Sequence, residues 1–178
     1  MLKLFIRSPL LREFKQCQLE YYKSAIKIMR QKFPRYPLLV CTDSPDKVIP
    51  ILCELDDNIM IAPIAKNVSP KFSDFCTLYL AHAITIANST YSWWAAYLNN
   101  KRLFIAPGPW WDPDGFIGSG MRLDGPYLHH PEWYICNADS GEIIKTPTKD
   151  YKYDEIAISR KYTNDTINLY RLIRGILL

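Results

Sequence analysis

Glycine-rich nucleotide fingerprints are missing from this chain. Seven glycines are spread over 178 residues, and none falls in a G-x-G-x-x-G or P-loop pattern. That disfavours a fingerprint-type dinucleotide fold and a P-loop enzyme. No apolar run approaches the roughly 18 residues of a membrane-crossing helix. The segment from Met1 to Ile6 has neither the long apolar stretch nor the cleavage site of a signal peptide, and reads as a first β-strand. The five cysteines are an odd number with no C-x-x-C pair, and several sit in apolar stretches such as Leu39-Val40-Cys41. Buried free thiols in a reducing compartment are expected. Without an export signal or an anchor, the expected location is the cytoplasm, at most peripheral to a membrane. Asn67-Val68-Ser69, Asn88-Ser89-Thr90 and Asn164-Asp165-Thr166 match the N-glycosylation pattern, and in that setting the matches are coincidence. No Ser/His/Asp or Cys/His set stands at a useful spacing, no internal repeat is legible, and no nucleic-acid-binding module is recognisable.

What is present is a globular composition: 48% hydrophobic, 22% charged and 13% aromatic residues. Such a chain can bury one substantial core, with a small appendage, and is too short for two nucleotide-binding lobes. The net charge of +4 is uneven, with nine Lys and Arg in residues 1–35 against Glu13 and Glu20. A basic face for phosphates is one reading; the solvated side of one amphipathic helix is the plainer one.

The first half alternates short apolar runs with helical patterns. Leu2 to Arg7 reads as a strand. A helix follows, with Tyr22, Ala25, Ile26, Met29 and Phe33 on one face and Pro34 at its end. Leu38 to Cys41 is a buried-strand run. Ser44-Pro45 opens a helix, with Val48, Leu52 and Leu55 inward and Pro50 as a kink. Asn58 to Ala62 is the third strand. Ser69-Pro70 opens a helix whose stripe runs through Phe72, Phe75, Cys76, Tyr79, Leu80 and Ala83. Ile84 to Ala87 is the fourth strand, Asn88 to Thr90 cap a helix through Trp94, Tyr97 and Leu98, and Leu103 to Ala106 is the fifth. Five such units predict an α/β fold, a Rossmann-like doubly wound parallel sheet of order 3-2-1-4-5. The region from Pro107 to Pro131 holds five of the seven glycines and reads as a long loop. Trp133 to Cys136 reads as a short strand, Ser140 to Lys152 as polar turns, and Thr163 to Leu178 as an amphipathic helix. The expected division is a lobe over residues 1–139 and a tail over 140–178.

In a sheet of that order ligands bind at the carboxyl ends of strands 1 and 4. Arg7 and Ser8 end strand 1, and Asn88-Ser89-Thr90-Tyr91-Ser92 follow strand 4 directly before a helix. Helix N–H groups with the hydroxyls of Ser89, Thr90 and Ser92 suit phosphate oxygens, and Arg7 opposite would grip a diphosphate. Asp43, at the end of strand 2, would take hydroxyl or base N–H donors. The same residues also read more simply: Asn88 to Ser92 as a helix cap with Trp93 and Trp94 in the core, Arg7 as a strand end, Asp43 as a turn. Asp112-Pro113-Asp114 lies in a Trp/Pro/Gly loop, where a turn is favoured over a metal motif. His129-His130 are adjacent, so their side chains diverge and a shared metal is disfavoured.

The block Ile86-Ala87-Asn88-Ser89-Thr90-Tyr91-Ser92-Trp93-Trp94-Ala95-Ala96-Tyr97-Leu98 resembles the signature of the family 11 glycosyltransferases, the α-1,2-fucosyltransferases. Supporting similarities run in order along residues 5–136. They are Leu19 to Ile26 with its paired tyrosines, Val40 to Ser44, Asp74 to His82, Ile105-Ala106-Pro107 with Trp110, and Pro131-Glu132-Trp133. The resemblance implies the donor-binding lobe of a two-lobed GT-B enzyme. It implies inverting, metal-independent transfer of L-fucose from GDP-fucose to a galactose-type hydroxyl of a glycan acceptor, with no cofactor. It places Ser89, Thr90 and Ser92 near the donor diphosphate, Asn88 as a brace of that loop, and Asp43 at the nucleoside. Arg7 is what this chain has of the family's H-x-R-R-x-D strand; Phe5, Ser8 and Leu10 stand at its His, second Arg and Asp. Those departures keep a second reading open: a non-catalytic or truncated nucleotide-sugar-binding remnant that needs a partner lobe or subunit. No catalytic residue is assigned.

Overall fold

The computed structural model describes residues 17–99, 103–110, 130 and 132–147, and residues 2–6 in their backbone. Arg7, Asp112 to Asp114, His129 and the expected helix from Thr163 to Leu178 lie outside the described residues. The elements run in the order β1 (Leu2–Ile6), α1 (Leu19–Lys32), β2 (Leu38–Thr42), α2 (Pro45–Cys53), β3 (Ile59–Ile61), α3 (Pro70–Tyr79), β4 (Ala83–Thr85), α4 (Thr90–Leu98), β5 (Leu103–Gly108), β6 (Tyr134–Asn137) and β7 (Ile143–Lys145). They form a mixed α/β fold around a seven-stranded sheet of order β3-β2-β1-β4-β5-β6-β7. Every pairing is parallel except β6 with β7. The first five strands therefore stand in the expected order, with β1 at the centre between β2 and β4.

Helices cover both faces, and alternation along each strand assigns its side chains to them. On β2, Leu38 and Val40 pack with α1 and its buried Tyr22, Ala25, Ile26, Met29 and Phe33. Leu39 and Cys41 of the same strand pack into a second core with Leu78, Ile84, Ile86, Ala95 and Ala96. Because β2, β4 and β5 are buried on both faces, their sequences read as unbroken apolar runs rather than as alternation.

Pro50 lies inside α2, and the helix runs on past it to Cys53. Three expectations are corrected by packing. The stripe expected on α3 is not its buried face: Phe72 is 46% exposed, Leu78 and Ser73 are buried, and Ala83 belongs to β4. The thiols divide, with Cys41 and Cys136 buried, Cys17 and Cys76 half-buried and Cys53 exposed on α2. The boundary expected at residue 139 falls within the turn joining β6 to β7, so the sheet runs on to Lys145.

That turn is closely tied to the domain. Asn137 Oδ1 accepts from the N–H groups of Asp139 and Ser140, at 2.9 and 3.0 Å. Gln18 N–H, just before α1, donates to Ala138 O at 2.7 Å, and Ala138 N–H donates to Gly108 O at 2.9 Å. Gly141 has φ +71°, and a β-carbon there would stand 2.2 Å from Glu20 O. Left-handed backbone and close approach to α1 both require glycine at this position.

Candidate functional site

Each of α2, α3 and α4 follows a parallel strand, so each presents its first turn at the carboxyl edge of the sheet. First-turn N–H groups have no carbonyl within their own helix and carry the positive end of its dipole; α4 presents those of Thr90, Tyr91 and Ser92, while Pro45 and Pro70 leave α2 and α3 with one fewer. The helices differ in what occupies that end. On α3 the cap is closed, since Ser69 Oγ accepts from Phe72 N–H at 3.3 Å. On α4 the N-cap is Ser89, and its side chain makes no cap bond. On α2 the N-cap Ser44 makes none either; its hydroxyl donates to Asp43 Oδ1 at 3.3 Å. Asp46 stands in the first turn of α2, whereas α4 has no acidic residue there. The end of α4 therefore has neither a capping side-chain oxygen nor an acidic residue in its first turn.

The sheet places these two ends on either side of β1. Ile6 pairs with Thr42 at the end of β2, and Leu4 pairs with Thr85 of β4. Asp43 is therefore brought to one flank of β1, exposed, and the Asn88–Ser92 loop to the other. Arg7 lies outside the described residues.

Within the loop the four polar residues have different surroundings. Asn88 is buried. Its amide donates to Trp110 O at 2.7 Å and to Pro109 O at 3.4 Å, and its Oδ1 accepts from Cys17 Sγ at 3.4 Å. The side chain ties the exit of β4 to the exit of β5 and to Cys17, two residues before α1. Ser92 is fully buried, and its hydroxyl lies on Ser89 O at 3.0 Å and Ala87 O at 3.3 Å. It folds the first turn back on the strand. Ser89 bonds the same strand end through its backbone, donating to Ala87 O at 2.7 Å. Thr90 is exposed at the first position of the helix. Asn88 and Ser92 thus shape the loop; Ser89, whose side chain makes no cap bond, is itself buried, and Thr90 is the one of the four that is exposed beside the helix N–H groups.

A support beneath this edge is not legible as one in the sequence: Tyr21 stands out only as one of the paired tyrosines of Leu19 to Ile26, with Tyr22 and not Tyr21 on the face read as buried. Tyr21 is fully buried, and its hydroxyl donates to Ile86 O at 2.6 Å and lies 3.2 Å from Ile105 O. A buried tyrosine hydroxyl needs a polar partner, and here the partners are the exit of β4 at Ile86 and the middle of β5 at Ile105. Burial pushes the Tyr21 phenol well above its ordinary range, so it stays a neutral donor. Burial likewise pushes the Cys17 thiol up to about 12, which leaves it protonated against Asn88.

In comparisons with models of protein families, with curated proteins and with solved structures, the chain has no match. Among the described residues no helix is long and apolar enough to cross a membrane.

Proposed function

We propose that the chain is a Rossmann-like donor-binding lobe of a GT-B glycosyltransferase, similar to the family 11 α-1,2-fucosyltransferases. In this reading it holds GDP-fucose, needs no metal or cofactor, and serves transfer of L-fucose to a galactose-type hydroxyl with inversion. The observation that carries the proposal is the N-terminus of α4, which has no side-chain cap bond and no acidic residue in its first turn and where Thr90 is exposed, beside the central strand and inside the block of family resemblance.

The chemistry follows from charge. The acceptor oxygen forms a bond to the anomeric carbon as the bond from that carbon to the β-phosphate oxygen breaks. The electron pair leaves with GDP, and the acceptor proton passes to a base or to water. Negative charge grows on the diphosphate as the sugar becomes oxocarbenium-like. Fixed N–H dipoles at the start of α4, with the Ser89 and Thr90 hydroxyls and Arg7, stabilise that charge more in the transition state than in the bound donor. Asp43 takes the nucleoside's donors.

A second reading is favoured by Phe5, Ser8 and Leu10, which replace the polar residues of the family's H-x-R-R-x-D strand. In it the chain binds the nucleotide sugar and turns over only with a separate acceptor lobe or subunit, or not at all.

Calorimetry with GDP and GDP-fucose tests both. The chain should bind GDP, and Ser89→Ala with Thr90→Ala should weaken binding about tenfold to a hundredfold, through two charge-assisted hydrogen bonds. No binding of GDP by the intact chain would defeat the proposal. Binding without transfer to any galactoside, restored by an added acceptor lobe, would favour the second reading.

A further inference from the structure

We infer that the C-terminal segment from Thr163 to Leu178 docks on its own domain, with its apolar side in a groove between the second half of α4 and the entry to β6. A cavity of about 330 Å³ opens there, with Ala96, Tyr97 and Leu98 of α4, Phe104 of β5, His130 and Trp133 among its walls. On α4 itself three large apolar side chains stand uncovered: Trp94 and Leu98 are each 51% exposed, and Tyr97 is 47% exposed. Residues three and four apart share a helix face, so these form one patch that runs into the cavity through Tyr97 and Leu98. The walls are already ordered. Tyr97 is stacked on Trp93, with ring centres 4.8 Å apart and planes at 11°, and Phe104 packs on Trp133 at 5.4 Å. An occupant therefore meets a preformed surface.

The course of the chain says what covers it. β7 runs antiparallel to β6, with Lys145 opposite Ile135. Opposed residues share a face of the sheet, and Ile135 lies in the core with Ala95, Ala96, Phe104 and Trp133. Beyond Lys145 the chain heads past the start of β6, on the side of Trp133 and His130. Lys145 Nζ donates to His130 O at 3.3 Å, and His130 is part of the cavity wall. Pro147, the last described residue, thus stands two positions beyond a residue bonded to the cavity's rim.

Residues 148–178 follow from that point. In them Ile167, Tyr170, Ile173 and Leu177 recur in steps of three and four, with Asn164, Asn168 and Arg171 on the opposite side of the helical period. Residues 148–162 join Pro147 to this segment, an extended reach of about 50 Å, and the segment as a helix would be about 24 Å long. The groove is within range. A tether of this length holds the segment at an effective concentration on the order of millimolar. A second copy at micromolar concentration would need a contact about a thousandfold tighter to displace it.

This docking is independent of nucleotide binding, and photo-cross-linking on the full chain tests it. Tyr170→p-benzoylphenylalanine, irradiated at micromolar protein, should cross-link within one chain to Trp94, Tyr97, Leu98, Phe104 or Trp133, read by mass spectrometry of the monomer band. Ile173→Asp with Leu177→Asp, added to that chain, should lower the yield about tenfold or more, because two buried apolar side chains are lost. Leu98→Asp, at an exposed position on the groove side, should also lower it. Should Leu98→Asp disturb the fold, the tail variants still decide, since they leave the described domain unaltered. Cross-links to another face of the domain, cross-links found only between two chains, no cross-link at all, or a yield that the tail variants leave unchanged would each overturn the inference.

Discussion

Asn88 and Ser89 are neighbours in sequence, and the structure gives them opposite kinds of work. Asn88 fixes backbone: its amide satisfies Trp110 O and its carbonyl receives the Cys17 thiol. Removing a buried partner leaves the others unsatisfied, at a cost of about 1–3 kcal/mol. Asn88→Ala should therefore lower the denaturant midpoint by that much, and lose GDP affinity only as a consequence of a loosened loop. Ser89→Ala removes the hydroxyl of a buried residue that makes no cap bond, so it should cost less stability than Asn88→Ala while GDP affinity falls. If both variants lose stability equally, the division between brace and ligand group is wrong. The thiols allow a second check at this scale. Burial pushes the Cys17 thiol up to about 12 and the Cys136 thiol up to about 11, and only the thiolate reacts. Alkylation with iodoacetamide at pH 8 should modify exposed Cys53 first and spare Cys17 and Cys136 until the chain unfolds.

Elements show how much could be read from residue order and how much could not. Apolar runs such as Leu38 to Cys41 marked the buried strands, and Ser69-Pro70 marked a helix start, because burial on two faces and capping chemistry are local properties. The carboxyl-edge location of Asp43, Ser89 and Thr90 followed from strand order. Which serine caps its own helix is not local. Ser69 and Ser89 are both N-caps, yet only Ser69 turns its oxygen onto the helix. The stripe on α3 misled because Phe72 obeys the helical period while facing outward. The Arg30–Asp56 clamp was also illegible, since Arg30 reads as one charge on the polar face of α1. Its guanidinium binds Asp56 through Nε at 2.5 Å and Nη2 at 2.6 Å, and reaches Tyr36 O at 2.5 Å. The clamp joins the end of α1 to the turn before β3, and Asp56 is only 7% exposed. Arg30 holds the Asp56 carboxyl below its ordinary value. A lowered folded-state pKa stabilises above the unfolded value, near about 3.9, and that stability is lost as pH falls through the folded one. Asp56→Asn should thus cost about 1–3 kcal/mol at pH 7, with the gap to the parent closing below about pH 4. A gap that stays constant down to pH 2 would show that the charge contributes nothing.

At the scale of the whole molecule, the question is whether the carboxyl edge and the sheet's far side form one cooperative unit. The β6–β7 turn reaches back to the start of α1 through Gln18 N–H on Ala138 O, and α1 in turn supports β4 and β5 through Tyr21. Two independent disturbances can test that chain of contacts. Gly141→Ala forces a β-carbon into left-handed backbone and against Glu20 O, and should cost about 2 kcal/mol or more. Tyr21→Phe keeps the ring and removes the strut beneath the proposed diphosphate site, and should cost about 1–2 kcal/mol. GDP bound to the folded state alone adds stability by mass action, about 2.7 kcal/mol at a hundredfold excess over its dissociation constant. If the molecule unfolds as one unit, that increment will appear in full in the Gly141→Ala variant, because the added β-carbon meets Glu20 and Ser24 and none of the residues proposed to touch the ligand. In Tyr21→Phe it should shrink, because the exit of β4, which leads into the α4 N-terminus, loses its tie to β5. Thermal unfolding of the parent and both variants, with and without GDP, reads all four terms. An equal GDP increment in both variants would show that the Tyr21 strut stabilises the fold without shaping the site.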